Sequence, residues 1–462
     1  MENEITKLHA DYCKSSPDWE QIQTCIDGER AIKACGEVYL PYPVSLEDKD
    51  RKSKDFESQY KIYKNGAHFV NFTADAVHDL TAAAFRTPVK VDPDLPSDLE
   101  YMDVSELAKK LLPLVSAFGR AFILVDYPTV ENSTVATDKE NKAYYEIYAA
   151  LDVINWSYGR VSGQKKVTMV VLRELLDSDT CNEIEYQYRE LLINEAGYYQ
   201  QTVFNESGEI IQEPFEPIAA GNKLREIPGI FVGVESNTPD VDKPPVIGIS
   251  NSNLKHYQTM AELAWVTTYT GHPQLVLTGL MVGWNDMAEK KNMKVVLDAA
   301  KVLALEGETA AAQLLEINSS NLIHFKNLEL LERMMQEQGL MLKGGMYKNG
   351  VESAEAIKIR YSSEISTLGK IVENVENACL FTIDQMGLFM SATYTGEVVI
   401  NKEFVTPTPD AALITALNSV EITGTAPRGT TTRYLQSVEL VPDDVKPDDV
   451  RENSLQNDPN LP

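Results

Sequence analysis

No run of this sequence is both long and apolar enough to cross a membrane. Its longest apolar stretch, residues 111–125, contains Pro113 and Arg120 and falls short of the roughly 20 residues a spanning helix needs. Cysteine is scarce: the 462 residues hold five, Cys13, Cys25, Cys35, Cys181 and Cys379, without a CxxC spacing. An odd, scattered set argues against a disulfide framework and fits a reducing compartment. The first residues, Met1 to Glu20, are polar and charged, unlike a secretion signal, so a cytosolic origin is expected. Of the six histidines only His68 and His78 approach a ligand spacing. Read as parts of one helical stretch, they point to different faces and hold no metal.

The common catalytic signatures are missing too. GxxxxGKS/T, HExxH and GxSxG do not occur, which excludes phosphate-loop hydrolysis and the usual metallopeptidase and serine-hydrolase routes. Ser162-Gly163-Gln164-Lys165 has the SxxK order of some acyl-enzymes. It lies in a glycine-containing turn between strands, not on a helix, and lacks the companion motifs. Carboxylates are too many for any pair to stand out as acid and base. No cofactor and no catalytic residue is therefore expected. Positive charge is in deficit, with 42 Lys and Arg against 69 Asp and Glu, a net −27. Such a field does not attract nucleic acid, so any DNA contact must be local or must exploit repulsion. Taken alone, the acidity requires nothing beyond solubility.

What is present is an α+β pattern. Ser16-Pro17-Asp18 reads as a helix start, with Ser16 as cap and Pro17 in the first turn. Phe69, Phe72, Ala76, Leu80 and Ala83 keep a three-to-four spacing that stops near Thr87-Pro88. Val104, Leu107, Leu111, Val115 and Phe118 repeat it, with Gly119 as C-terminal cap. The run AFILVDYP, 121–128, then reads as a buried strand ended by Asp126, a turn former there. Ile184, Tyr186 and Tyr188 alternate with Glu183, Glu185, Gln187 and Arg189, the mark of a half-buried antiparallel strand. YYEIYAA, KVTMVVLREL, YYQQTVF and GIFVGV read as its neighbours, and SNTPDVDKPP, 236–245, marks a boundary.

The second half is mainly helical. A helix is expected over 250–270, ended by Gly271-His272-Pro273, then a mixed patch to 325. Leu328, Leu331, Met335 and Leu342 define another helix, stopping at Gly344-Gly345. From Ala354 to Met390 the helical period persists, which predicts a rod about 55 Å long. A strand at 398–404, a short helix at 410–420 and an acidic tail follow.

In their order and spacing six segments resemble the portal proteins of tailed bacteriophages, in particular a branch catalogued as a domain of unknown function. They are NFTADAVHDLTAAAFRTPVKV (71–91), FGRAFILVDYP (118–128), VINWSYGRV (153–161), IPGIFVGVESNTPDVDKPP (227–245), LKHYQTMAELAWVTTYTGHPQLVLTGL (254–280) and ESAEAIKIRYSSEISTLGKIVENVENA (352–378). The resemblance implies a ring, typically of twelve subunits, at one capsid vertex, through which double-stranded DNA is packaged and ejected. It implies an α/β wing over 1–246, stem helices at 247–272 and 326–343, and a small mixed clip over 273–325. A channel loop at 344–351, a long helix with a return strand over 352–405, and a short crown with the tail over 406–462 complete it.

The channel loop would comprise Lys343, Gly344, Gly345, Met346, Tyr347, Lys348, Asn349 and Gly350. The clip would dock the terminase packaging motor first and the neck or tail adaptor later, with Trp284, Asn285 and Asp286 as candidate contacts. The major capsid protein would surround the ring, and no membrane would take part. Two readings of the residues agree with this. Gly344, Gly345 and Gly350 give a loop cheap conformational change, and an acidic wall keeps DNA from sticking. Lys343 has an alternative role in offsetting a helix C-terminus, and Trp284 an alternative as a buried clip residue. The competing functions are another oligomeric virion scaffold and a cytosolic enzyme with an unrecognised site.

Overall fold

The computed structural model describes residues 4–42, 54–128, 141–161, 164–176, 185–270, 274–280, 296–297, 300–301, 303–306, 309, 311–315, 322–342, 366–402, 404, 411–425, 427, 429–437 and 440–441. The fold is α+β. Its helices are α1 (Ala10–Asp27), α2 (Glu29–Cys35), α3 (Lys54–Gly66), α4 (Phe72–Ala84), α5 (Val104–Phe118), α6 (Ile247–Thr270), α7 (Leu322–Leu342), α8 (Thr367–Met390), α9 (Ala411–Ile422) and α10 (Thr430–Ser437). The strands of the first half are β1 (Lys90–Asp92), β2 (Arg120–Asp126), β3 (Tyr144–Ala149), β4 (Val153–Val161), β5 (Gln164–Leu175), β6 (Tyr186–Ile193), β7 (Tyr199–Asn205), β8 (Ile210–Phe215), β9 (Ile218–Ala219), β10 (Asn222–Lys223) and β11 (Gly229–Gly233). The others are β12 (Gln274–Leu280), β13 (Val296–Leu297), β14 (Ala300–Lys301), β15 (Leu303–Glu306), β16 (Ala311–Leu315) and β17 (Glu397–Val399). The chain divides into two units. One holds Met1–Ser16, Val77–Pro245 and Gly339–Pro462; the other holds Pro17–Ala76 and Val246–Gln338. The passage from Pro245 to Val246 falls at the end of the turn-rich segment 236–245.

In the first unit β11, β2 and β3 form an antiparallel sheet, with Ile123 paired to Ile230 and to Ile147. Every residue of β2 is buried. A central strand covered on both faces has no reason to alternate, which is why AFILV is continuous. α5 is held at both ends by its own sequence. The Asp103 carboxylate accepts the Glu106 amide at 3.0 Å, and Gly119 closes the helix at φ 77° with its amide on the Val115 carbonyl. Strands β4 to β8 form a separate five-stranded meander. This corrects the expected neighbours of β6. KVTMVVLREL and YYQQTVF do flank it, as β5 and β7, but YYEIYAA and GIFVGV flank β2 in the other sheet. Period two identifies a strand and leaves its partner open.

Two helix starts differ from expectation. α1 begins at Ala10 and runs through Pro17. The His9 ring takes the capping role, its Nδ1 accepting the Asp11 amide at 3.1 Å. His9 also stacks on Trp156 at 4.0 Å, and the Tyr12 hydroxyl donates to the Leu151 carbonyl at 3.0 Å. These contacts outweigh the one backbone bond that proline removes. α8 begins at Thr367, because Ser366 is extended (φ −75°, ψ 144°) and its hydroxyl accepts the Gly369 amide. A helix continuous from 354 to 390 is therefore excluded. The 24-residue α8 is about 36 Å long, and residues 351–365 lie outside the described residues. β17 pairs antiparallel with β1. His68 lies between α3 and α4, not in a helix.

The second unit is built on α6. One core joins Cys25, Ile32, Leu40, Tyr63, Ala67 and Phe69 to Leu254, Tyr257 and Ala261 of α6, with Trp265 packed against it. Aromatic edges knit it: Tyr63 meets Trp265 at 5.7 Å and Phe69 meets Tyr257 at 5.8 Å, each pair adding about 1 kcal/mol beyond area burial. β12 lies between β15, parallel to it, and β16, antiparallel, all in the chain segment between α6 and α7.

Candidate functional site

The candidate contacts Trp284, Asn285 and Asp286 and the candidate loop Lys343, Gly344, Gly345, Met346, Tyr347, Lys348, Asn349 and Gly350 lie outside the described residues. What the structure describes is the framework beside them. α7 ends at Leu342, one residue before Lys343, and β12 ends at Leu280, four residues before Trp284.

α6 and α7 run antiparallel. Gly248 near the start of α6 faces Gln338 near the end of α7. Further along, the His256 imidazole meets the Glu332 carboxylate at 3.3 Å. His256 is buried, and Phe72 meets it edge-on at 5.2 Å. Burial lowers its pKa, and Glu332 only partly offsets that. The pair is thus a neutral imidazole bonded to a carboxylate, holding two helices together at one level. At 100° per residue the α6 residues that meet α7 and those in the aromatic core lie about 180° apart. α6 is accordingly covered on two opposite flanks.

α7 carries two apolar stripes. Leu328 and Met335 are buried. Ile323, Leu330 and Met334 stay 68%, 47% and 39% exposed. The three fall within about 40° of one another on the helix and about 130° from the buried stripe. The signal was present in LIHFKNLELLERMMQEQGL. Apolar residues there follow two helical faces, a pattern of a helix packed on two sides, and the expected helix used only one.

In the first unit a polar cluster, buried at Asp126, Tyr148 and Gln201 and half-buried at Glu174 and Arg189, links the two sheets. Glu174 of β5 accepts from Arg189 Nε at 2.7 Å and Nη2 at 3.2 Å, from the Tyr148 hydroxyl at 2.6 Å and from Gln187 at 2.8 Å. Those four bonds fill both carboxylate oxygens, leaving no place for a substrate. Asp126 of β2 accepts from the Tyr127 amide and from Gln201 at 3.1 Å, with Arg189 3.6 Å away. The turn-forming role expected of Asp126 is thus joined by a bond across the sheets. Burial raises the Asp126 pKa. It also pushes Glu174 upward, but Arg189, Tyr148 and Gln187 outweigh it and leave Glu174 below its ordinary value. Nearby, the buried Arg120 guanidinium lies between Trp156 at 4.1 Å and Phe231 at 4.2 Å and donates to the Pro239 carbonyl. Both arrangements are clasps in the core.

A cleft of about 630 Å³ lies on the outer face of the five-stranded sheet, lined by residues including Lys7, Ser157, Glu190 and Phe204. The Ser157 hydroxyl is engaged with Thr168 at 3.0 Å, and no histidine lines the cleft to activate it. Ser162 and Gly163 lie outside the described residues; the strands flanking them pair at Val161 and Gln164. Among the described residues no group of three or more His, Cys, Asp or Glu side chains is placed to hold a metal ion. Among them too, no helix is long and apolar enough to cross a membrane.

Residues 245–390 match the model of a family described as a domain of unknown function, DUF4055. The match spans about a third of the chain. It starts at the passage between the two units and ends on the last residue of α8. No curated protein matches the chain.

Proposed function

We propose that this chain is the portal subunit of a tailed bacteriophage, a non-enzymatic ring of twelve copies at one capsid vertex. The observation that carries the reading is the antiparallel α6–α7 pair with strands β12–β16 between them in the chain. A stem with a protruding clip requires that arrangement, and the family match covers it from end to end. In this reading α6 and α7 are the stem, β12–β16 belong to the clip, and residues 343–350 line the narrowest part of the channel. α8 belongs to the wing, and α9 and α10 belong to a short crown. The clip receives the terminase motor during packaging and a neck or tail adaptor afterwards. The major capsid protein holds the rim, and double-stranded DNA passes through the centre. The site of action is the virion, after assembly in the host cytoplasm. The acidity supports the reading, because a wall that repels phosphates lets DNA slide.

Negative-stain images of the purified full chain test it. Rings with a central hole are expected. Compact monomeric particles, or sheets and shells, refute it.

A further inference from the structure

Residues 4–9 form a strap across the outer face of the five-stranded sheet, within the first unit. Its first turn, Glu4–Thr6, lies against β6, and Ile5 is buried there. Ile5 and Lys7 line the cleft of about 630 Å³ from the strap, while Met169, Val171, Leu192 and Phe204 line it from the strands. Lys7 and Leu8 are exposed, and the strap is next fastened at His9. That residue is held in three ways. Its amide donates to the Ile154 carbonyl of the edge strand β4 at 3.0 Å, its ring stacks on Trp156 at 4.0 Å, and its Nδ1 accepts the Asp11 amide at 3.1 Å.

The third bond needs a lone pair on Nδ1, which the neutral ring has and the imidazolium lacks. Protonation puts a hydrogen against the donor at the start of α1 and removes its cap. It also sets an imidazolium on the same indole as the Arg120 guanidinium of β2, 4.1 Å from the Trp156 ring. The other charges facing the ring are on α1. Asp11 Oδ2, 3.8 Å from Nδ1, favours the charged ring, but Asp11 is 49% exposed and already paired with Lys14 at 2.8 Å. Burial holds the His9 pKa below its ordinary 6.5; Asp11 offsets part of this, and Arg120 and Lys14 add to it. We infer that His9 is a pH-operated catch, which as a neutral ring closes the strap over the sheet and on protonation releases residues 4–9 and uncovers the apolar floor of the cleft. Opening stops at Tyr12, which is buried and donates to the Leu151 carbonyl at 3.0 Å. Because the closed state prefers the neutral ring, closure is favoured in full above pH 6.5 and is lost as the pH falls through the lower closed-state value. Opening at pH 5 exceeds that at pH 8 by at most about 30-fold, the limit that an ordinary pKa of 6.5 sets. The catch does not depend on the portal reading.

Hydrogen exchange of the full chain at pH 8 and pH 5, expressed as protection relative to an unstructured amide, tests it. Protection of the His9 and Asp11 amides should fall severalfold at pH 5 while the amides of β5 keep theirs. His9→Asn cannot take up a proton in this range and should show no such fall, whatever its protection at pH 8. Asp11→Asn removes the neighbouring carboxylate and should keep the fall. His9→Ala should be open at both pH values, and at pH 8 it should bind more anilinonaphthalene sulfonate than the parent, the dye reporting the uncovered floor. Equal protection of the parent at the two pH values overturns the catch. So does the same fall in His9→Asn, its loss in Asp11→Asn, or a parallel fall in the β5 amides, which is general unfolding. Equal dye binding by His9→Ala and the parent at pH 8 overturns the uncovering of the cleft.

Discussion

Gly119 sits where α5 turns into β2, and its replacement by alanine can be worked through in numbers. Its φ is 77°, and a Cβ there would lie 2.9 Å from the Asp242 carbonyl oxygen and 3.2 Å from that of Lys243. A left-handed alanine costs about 1–2 kcal/mol. Forcing a methyl group against backbone that cannot rotate away adds about 1–3 kcal/mol. Gly197 provides the control, because its φ is 79° but nothing lies within 4 Å of its Cβ position. Gly197→Ala should therefore carry only the first cost. Both positions belong to one unit, so the same readout serves for both. Hydrogen exchange of the most protected β2 and β6 amides should accelerate about 5- to 30-fold in Gly197→Ala, and at least several-fold more in Gly119→Ala, at about 1.4 kcal/mol per decade. Equal acceleration in the two variants would refute the claim that the Asp242–Lys243 backbone, and not dihedral strain alone, demands glycine at 119.

Glu174→Gln should cost about 1.5–3 kcal/mol, since half-buried Arg189 loses its two charge-assisted bonds to Glu174 while Asp126 remains 3.6 Å away. Because the folded-state pKa of Glu174 lies below its ordinary 4.5, its contribution is present above that pH and is lost as the pH falls through the folded value. Urea unfolding should show this acid loss in the parent and a shallower one in the variant. His256 has the opposite preference, a folded-state pKa below its ordinary 6.5, so the folded protein favours the neutral ring. Stability of the second unit should decline as pH drops below 6.5 towards that lower value, and His256→Gln should flatten the decline in the same measurement. In the proposed channel loop, replacing Gly344 and Gly345 together with Pro fixes φ near −65°. Rings should still form while DNA packaging or retention falls, and normal packaging and retention by confirmed rings would remove this segment from the channel.

How much of this was legible in the sequence depends on how local each determinant is. α5 was readable end to end, because its stripe, its Gly119 stop and the strand behind it are consecutive in the chain. The adjacent partners of β6, KVTMVVLREL and YYQQTVF, were readable too, but the sheet of YYEIYAA was not, since it alternates equally well in either sheet. What places it beside β2 is the covering of Phe122 by Tyr148 and Phe231, a contact between residues far apart in sequence. The start of α1 was hidden for the same reason: His9 is an ordinary residue until Trp156 and Leu151 arrive beside it.

Helix length illustrates the limit in the other direction. A three-to-four period reports that successive residues share a face, and it stays unbroken across a turn if the next helix resumes in phase. The apolar positions 357, 361, 365 and 368 keep that period in the sequence. The stop is written in a different code, the hydroxyl of Ser366 placed to take the Gly369 amide, which satisfies one of the donors every helix start leaves open. Serine three residues before a glycine is a weak signal in sequence and a decisive one in space. Its consequence reaches the proposed function. In the proposed portal reading the helix that enters the wing is about 36 Å long, not 55 Å, and begins only after Ser366; residues 343–365, outside the described residues, separate it in the chain from Leu342.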